Sequence, residues 1–421
     1  MRYCARCLYP ENAKPYIIFD NAGVCSGCRV AEAYDRVDWQ ERERMLADIL
    51  RQAKDDARAK KSHYDCIIPV SGGKDSHFQA HIVKVKYGLN PLFVTYNHLF
   101  NAPLGLRNLE NLFAKFNCDL IRFSSSPETV RKISRYMLKR VGDMTWHYHA
   151  GILSWPIQAA VKFNIPLVVW AENNFSNLVG TFNPQDMVEF SRKSRKDLGL
   201  RGIEADELIN DESGLTWQDI SPFLYPSDED IEAVGVRGIY LSNFIRWNEH
   251  EQALAMHRMY DFQPTKSPRE RTFNRYAKLD DIHSNGVHDY LKYLKFGYGR
   301  GTDDASTLVR GGLMTREEGI DMVALHDHVR PSDLDGWLEF VGMDEAGFMR
   351  LVDPQRDPAI WKREADGVWH ASDSVANHRN DPLVDKARVP LRANATAEFP
   401  AGRYDLSDPR WLMEYEAYKL L

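Results

Sequence analysis

Long apolar runs are missing from this chain, and nothing in it approaches the ~18 residues that a membrane-crossing helix needs. The start, Met1-Arg2-Tyr3-Cys4, lacks the charged-then-apolar pattern of a secretory signal. Basic excess is missing too: 54 Lys and Arg stand against 60 Asp and Glu, a net charge of −6 without a polybasic tail, which argues against nucleic acid as the main partner. Six cysteines in 421 residues are too few for a disulfide scaffold. No internal repeat or low-complexity tract stands out. These absences predict a cytoplasmic protein with no membrane and no nucleic-acid partner, long enough for two or three domains with their own cores.

Four of the cysteines form two pairs, Cys4-x-x-Cys7 and Cys25-x-x-Cys28, with Gly23 and Gly27 where tight turns need them. This is the spacing of a four-thiolate zinc ribbon, whose closed ligand set leaves Zn²⁺ no open position for catalysis. Two disulfides are disfavoured in a reducing compartment, and nothing else points to an iron–sulfur cluster. Cys66 and Cys118 read as small apolar residues in or beside strands.

The densest chemistry lies in Val70-Ser71-Gly72-Gly73-Lys74-Asp75-Ser76, which follows the apolar run Cys66–Val70 and precedes a helical pattern. Gly72 and Gly73 let backbone N–H groups converge on an anion, and a helix N-terminus adds partial positive charge behind them. Lys74 adds a full charge, Ser71 and Ser76 add hydroxyls, and Asp75 suits Mg²⁺ better than phosphate. The loop is not that of γ-phosphoryl-transferring enzymes, because Ile68 and Asp75 occupy the places where that pattern needs Gly and Ser or Thr.

Strands are expected at Asp65–Val70, Pro91–Tyr96, Asp119–Phe123 and Ile165–Trp170, with a last one near Gly238–Ser242. Helices are expected at Asp75–Tyr87, Leu104–Phe116, Pro127–Arg140 and Ile152–Phe163. This alternation predicts an α/β protein with a doubly wound parallel sheet and ligands at the carboxyl ends of its strands. Tyr96 and Asn97 then fall where adenine or ribose would lie, and Glu172, Asn173 and Asn174 where Mg²⁺ or the reacting group would be oriented. His147 and His149 are read as a substrate-pocket wall preceding a helix, since two ligands alone make no metal site. Ser191–Lys196 reads as a solvated basic face.

Beyond residue 248 the chain reads as mostly helical to about 353, with a capping box at Thr315-x-x-Glu318 and Asp344 as a cap. Within it, Lys295-Phe296-Gly297-Tyr298-Gly299-Arg300 and Asp303-Asp304 alternate glycine with aromatic and charged residues. Lys295, Tyr298, Arg300, Asp303 and Asp304 would suit a nucleotide sugar, whose diphosphate takes cations and whose base stacks on rings. The resulting division is a ribbon (1–30), a helical connector (31–62), a sheet domain (63–247), a helical substrate or partner region (248–360) and a loosely attached extension (361–421) with a terminal helix near Trp411–Leu420.

The Ser71–Ser76 loop resembles the SGGxDS loop of the ATP-pyrophosphatase (PP-loop) superfamily, whose members adenylate a substrate oxygen and release pyrophosphate. With the four cysteines, Trp170-Ala171-Glu172-Asn173, Lys295–Arg300, Asp303-Asp304 and Thr315-Arg316-Glu317-Glu318-Gly319, residues 1 to about 360 resemble the N-acetyl sugar amidotransferases, the WbpG/PseA-like family. The resemblance implies an ATP- and Mg²⁺-dependent ligase with catalytic Lys74, Asp75 and Glu172. Such an enzyme converts an acetamido group of a nucleotide-linked sugar, expected to be UDP-linked, to an acetamidino group for surface polysaccharide. It also implies a separate glutaminase as ammonia source. Consistently, Arg2 stands where an N-terminal glutaminase would place its cysteine, and neither Cys66 nor Cys118 sits in a nucleophile turn. Alternatives are a tRNA-thiolating enzyme, which this sequence opposes by lacking further catalytic cysteines, and amidation of a sugar carboxylate.

Overall fold

The structure is a computed structural model and describes residues 1–172 and 179–392. Five parallel strands form the sheet: β1 (Cys66–Pro69), β2 (Pro91–Asn97), β3 (Leu120–Ser124), β4 (Leu167–Trp170) and β5 (Arg237–Tyr240), in the order β3-β2-β1-β4-β5. All four residues of β4 and the first three of β1 are buried, as a strand covered by helices on both faces requires. Neighbouring connections from β1 run in opposite directions along the sheet, toward β2 on one side and toward β4 on the other. A crevice therefore opens above the carboxyl ends of β1 and β4.

The helices that matter here are α1 (Ser26–Tyr34), α2 (Trp39–Ala59), α3 (Lys74–Ala80), α4 (Pro103–Phe116), α5 (Pro127–Val141), α6 (Trp146–Phe163), α7 (Glu249–Tyr260), α8 (Asn285–Phe296), α9 (Arg300–Arg310) and α10 (Arg316–His326). Proline opens α4 and α5, where its missing N–H costs nothing and its φ is already helical. The capping box at Thr315 and Glu318 starts α10. Helix α6 begins at Trp146 rather than at Ile152, so His147 and His149 lie within its first turns and not before it. Gly151 makes this possible: a Cβ there would sit 2.5 Å from the Tyr96 ring, so only glycine lets α6 close onto β2.

Three further expectations are corrected. Residues 261–284 form no helix, only turns and isolated bridges, with Pro264 and Pro268 interrupting any helical ladder. The basic run is not all solvated: Arg195 is 1 % exposed, paired with Glu204 and stacked 4.5 Å over Tyr225. The segment from 361 to 392 is held, not loose. Its hairpin pairs Trp361–Arg363 with Trp369–Ala371, Asp373 receives the Met1 amino group at 3.1 Å, and Arg388 bridges to Glu317 at 2.7 Å. The helix expected near Trp411–Leu420 lies outside the described residues. Among the described residues, no helix is long and apolar enough to cross a membrane.

The ribbon packs on α9 and α10 rather than on the sheet. Leu8 sits against Gly319, where a Cβ would come within 2.8 Å of its Cδ1, and Arg316 donates to the carbonyls of Cys7 (3.3 Å) and Cys4 (3.4 Å). Tyr9 Oη donates to Asp303 at 2.7 Å, and the Tyr298 hydroxyl accepts from Lys14 N–H at 2.8 Å.

Candidate active site

β1 ends in the Ser71–Ser76 loop, and Gly73 precedes the first turn of α3. Ser71 N–H donates to Ser76 Oγ (3.0 Å), Gly73 N–H to Ser71 Oγ (3.3 Å), and the His77 ring meets Gly73 O at 2.9 Å. Gly72 has φ +83°, and a Cβ on it would lie 2.6 Å from the backbone nitrogen of Leu109 on α4. Gly72→Ala is therefore expected to lower stability by roughly 3 kcal/mol, combining left-handed strain with a backbone clash. At Gly73 a Cβ would meet only Ser71 Oγ, at 3.3 Å. Urea unfolding should shift its midpoint clearly for Gly72→Ala and little for Gly73→Ala.

Lys74 is 3 % exposed, with Nζ 2.6 Å from Asp75 Oδ2, 3.4 Å from Glu249 Oε2 on α7 and 5.6 Å from the centre of the Tyr276 ring. Burial works against its charge, but the two carboxylates outweigh it and raise its pKa above the usual lysine value. Asp75 is pushed the other way for a carboxyl, upward, by burial and by Glu249 against the pull of Lys74. Its Oδ1 is buried without a hydrogen-bond partner. An orphaned carboxylate oxygen beside a phosphate-type loop fits a divalent cation such as Mg²⁺.

The crevice has two compartments. The larger, about 670 Å³, runs from the loop to α8 and α9, with ribbon residues Tyr9 and Lys14 in its wall. The smaller, about 190 Å³, lies over the ends of β1, β2 and β4. Ser71, Asp75, Gly105, Tyr148, Glu172 and Asp280 line both and so form the neck between them. Such a pair of connected cavities can hold two reactants with their reacting groups meeting at the neck.

The residues anticipated from sequence distribute unevenly. Gly72, Gly73, Lys74, His149, Arg300, Asp303 and Asp304 line the larger compartment, Ser76, Tyr96 and Asn97 the smaller, and Ser71, Asp75 and Glu172 both. Tyr96 and Asn97 are already engaged: the Tyr96 ring packs on Phe123 and its hydroxyl donates to Ser125 (3.2 Å), while Asn97 bonds Ser124, Leu99 and Asn101. Three residues fall outside both compartments. His147 is buried behind Tyr96, its pKa driven down to about 3 by burial; Lys295 Nζ donates to Gly142 O at 2.7 Å; Tyr298 is buried beside the cysteines. Asn173 and Asn174 lie outside the described residues.

Arg271 and Lys278, which had no anticipated role, also line the larger compartment, beside the anticipated Arg300, Asp303 and Asp304. Asp289 on α8 draws three cations: Arg271 at 2.7 Å, Arg300 at 3.0 Å and Lys278 at 3.4 Å. Burial, with Arg300 close by, brings the Lys278 pKa down to about 8. Asp303 takes Lys292 at 2.6 Å besides Tyr9. Asp304, half-buried and bonded by the Thr272 hydroxyl, has its pKa pushed up to about 6, chiefly by desolvation. Its folded-state pKa exceeds the unfolded value, so the folded state binds more protons between about pH 4 and 6 and stability from this group falls as pH rises through that window. Relative to Asp304→Asn, the native protein should lose about 2–3 kcal/mol between pH 4 and pH 7 in denaturant titrations.

The four cysteines converge as the spacing requires. All four Sγ atoms lie within 4.8 Å of one another, with Cys7–Cys25 at 3.6 Å and Cys4–Cys28 at 3.9 Å. A tetrahedron of thiolates about 2.3 Å from Zn²⁺ has edges of about 3.8 Å. The donor set therefore fits zinc. Arg310 from α9 lies over the cluster, 3.4 Å from Cys28 Sγ and 3.5 Å from Cys7 Sγ, and offsets part of the negative charge of four thiolates.

Comparison with known proteins adds a family match. Residues 270–375, which include α8–α10, match the family model described as "LPS biosynthesis protein WbpG-like, C-terminal domain". An uncharacterized protein of Methanocaldococcus jannaschii is 26 % identical over 156 residues, 34 % of this chain and 54 % of that protein, so the match spans about half the length of that curated relative. Solved structures that align include an NMN synthetase from Francisella tularensis (18 % identity, 47 % of this chain, 93 % of that chain, TM-score 0.27). An NH3-dependent NAD synthetase from Campylobacter jejuni aligns similarly (15 %, 47 %, 92 %, TM-score 0.26), and scores this low carry no weight for fold or chemistry. Residues 270–375 thus match a WbpG-like C-terminal domain, and upstream of them the Ser71–Ser76 loop stands intact at the carboxyl end of β1.

Proposed function

We propose that the protein is an ATP-dependent ligase that adenylates the acetamido oxygen of a nucleotide-linked sugar and replaces that oxygen with ammonia, giving an acetamidino group in the synthesis of a lipopolysaccharide-type glycan. The reading rests on one observation: the phosphate-type loop opens through a shared neck into a cavity whose far wall is built by the WbpG-like segment.

An amide oxygen is a poor leaving group, and adenylation makes it a good one. The loop N–H groups, the Ser71 and Ser76 hydroxyls and Lys74 would bind the β- and γ-phosphates and oppose the charge that gathers on pyrophosphate. Asp75, with Glu172 as a second candidate, would hold Mg²⁺, which supplies further positive charge to the phosphates. Arg300, Arg271 and Lys278 supply cationic donors for the sugar nucleotide's diphosphate. Water would have to be kept from the neck once substrates fill it, since it would hydrolyse the adenylate. A separate glutaminase would supply the ammonia.

Pyrophosphate release from Mg·ATP with an ammonium salt tests this, comparing UDP-linked acetamido sugars with bulk tRNA. Release stimulated only by the sugars, with AMP and a product about one mass unit lighter from exchange of O for NH, supports the proposal. Stimulation by tRNA alone overturns the substrate and leaves the adenylating loop standing.

A further inference from the structure

We propose that Asp280 is the carboxylate that accepts a proton from attacking ammonia and then faces the cationic amidinium product; this rests on the ligase reading above.

Position is the first support. Asp280 lines both compartments, at the neck where a sugar's acetamido carbon and the α-phosphate would have to meet. It belongs to the irregular 261–284 segment, yet its backbone is clamped. Ala102 N–H donates to Asp280 O (2.9 Å), Ile282 N–H to Phe100 O (2.9 Å), and Asn101 bridges to Asp281. Gly105 in the first turn of α4 allows this approach, since a Cβ there would lie 2.4 Å from Asp280 Cα.

The contrast with its neighbour is the second. Asp281 is 1 % exposed and structural: its Oδ1 collects the N–H groups of His283, Ser284 and Asn285 at the start of α8. Asp280 points to the neck instead, held by Tyr148 Oη (3.1 Å) and His98 Nε2 (3.4 Å). Both contacts reach Oδ2, leaving Oδ1 outside them.

Charge is the third. Burial opposes protonation of His98, but Asp280 and Asp281 overcome it and raise its pKa to about 9, so the imidazolium keeps Asp280 ionised. The groups facing Asp280 are thus His98 and Arg269 as cations, Asp281 and Glu172 as anions and the neutral Tyr148 phenol. Three carboxylates against two cations leave one negative charge for a cationic product.

The chemistry needs such a group. Ammonia forms a C–N bond to the imidoyl carbon, one of its protons passes to Asp280, and the C–O bond to the adenylate breaks with its electron pair leaving on AMP. The proton then returns to the amidine, which becomes a cation where the acetamido group was neutral, opposite a carboxylate.

The test separates two half-reactions in the full-length protein with ATP, Mg²⁺ and the UDP-linked acetamido sugar. Adenylation is read by sugar-dependent exchange of labelled pyrophosphate into ATP without ammonia, and amidation by product formed with ammonium chloride. For Asp280→Asn, exchange should stay within about 3-fold of wild type while amidation falls about 100-fold. The AMP-to-product ratio should climb well above one as water intercepts the adenylate. Tyr148→Phe, which keeps the carboxylate and removes one of its donors, should raise that ratio several-fold and guards against misfolding of the first variant. Parallel loss of exchange and amidation in both variants, or no change in the ratio, overturns the inference. A wild-type protein inactive in both assays with every acetamido sugar nucleotide would instead overturn the ligase reading itself.

Discussion

Lys74→Ala is expected to lower sugar-dependent pyrophosphate release about 1000-fold while the folded sheet persists. The lysine is the one full positive charge in the loop, it is 3 % exposed, and its ammonium sits in a low-dielectric floor where a charge acts at close range. Loss of a single preorganised charge at such a site typically costs two to three orders of magnitude. The substitution also leaves Asp75 and Glu249 facing each other without their cation. With Lys74 gone, Glu249 raises the Asp75 pKa unopposed, so the variant should bind Mg·ATP weakly even near neutral pH. Stopped assays of pyrophosphate, with circular dichroism to verify folding, check both statements. A variant that retains release within tenfold would remove Lys74 from the chemistry.

Cys25→Ser is expected to abolish zinc binding and to weaken the sugar substrate far more than ATP. Intact-protein mass spectrometry should find one zinc per native chain and none in the variant. With three ligands left, the site loses most of a binding energy that in small ribbons is their folding energy. The effect should reach the cleft through named contacts: Arg310 loses its Cys25 sulfur, and Tyr9 loses the frame that presents its hydroxyl to Asp303. Asp303 in turn holds Lys292, while Lys14 lines the same wall. The expected readout is a 10- to 100-fold rise in KM for the sugar nucleotide with a change of less than threefold for ATP. Equal losses for both substrates would show that the ribbon serves global stability only.

The sheet was legible because its strands are short apolar runs flanked by turn residues, and the observed ends fall within two residues of those expected for β1–β4. The loop was legible because its function resides in consecutive residues. What escaped was whatever depends on distant partners. Arg271, Lys278 and Asp280 come from a segment without periodicity, and as isolated charges they look like ordinary surface residues until Asp289 and His98 are brought to them. Tyr298 shows the converse error: alternation of glycine with aromatic residues resembles a platform for a ligand, but the ring faces inward onto the ribbon. The start of α6 escaped as well: Thr145 stands at its N-cap, but its hydroxyl bonds Asp143 rather than capping the helix.

The seating of the ribbon on α9 and α10 has a consequence for the order of events during synthesis. Cys7 and Arg310 are 303 residues apart in sequence, so the cysteine pairs leave the ribosome long before their supporting surface exists. At translation rates of about 5–20 residues per second, that interval is roughly 15–60 s. For that time the nascent thiolates can bind metal only as an isolated peptide or wait in the company of chaperones. The sheet, whose strands emerge in sequence between these two events, can form first, and the ribbon joins it last.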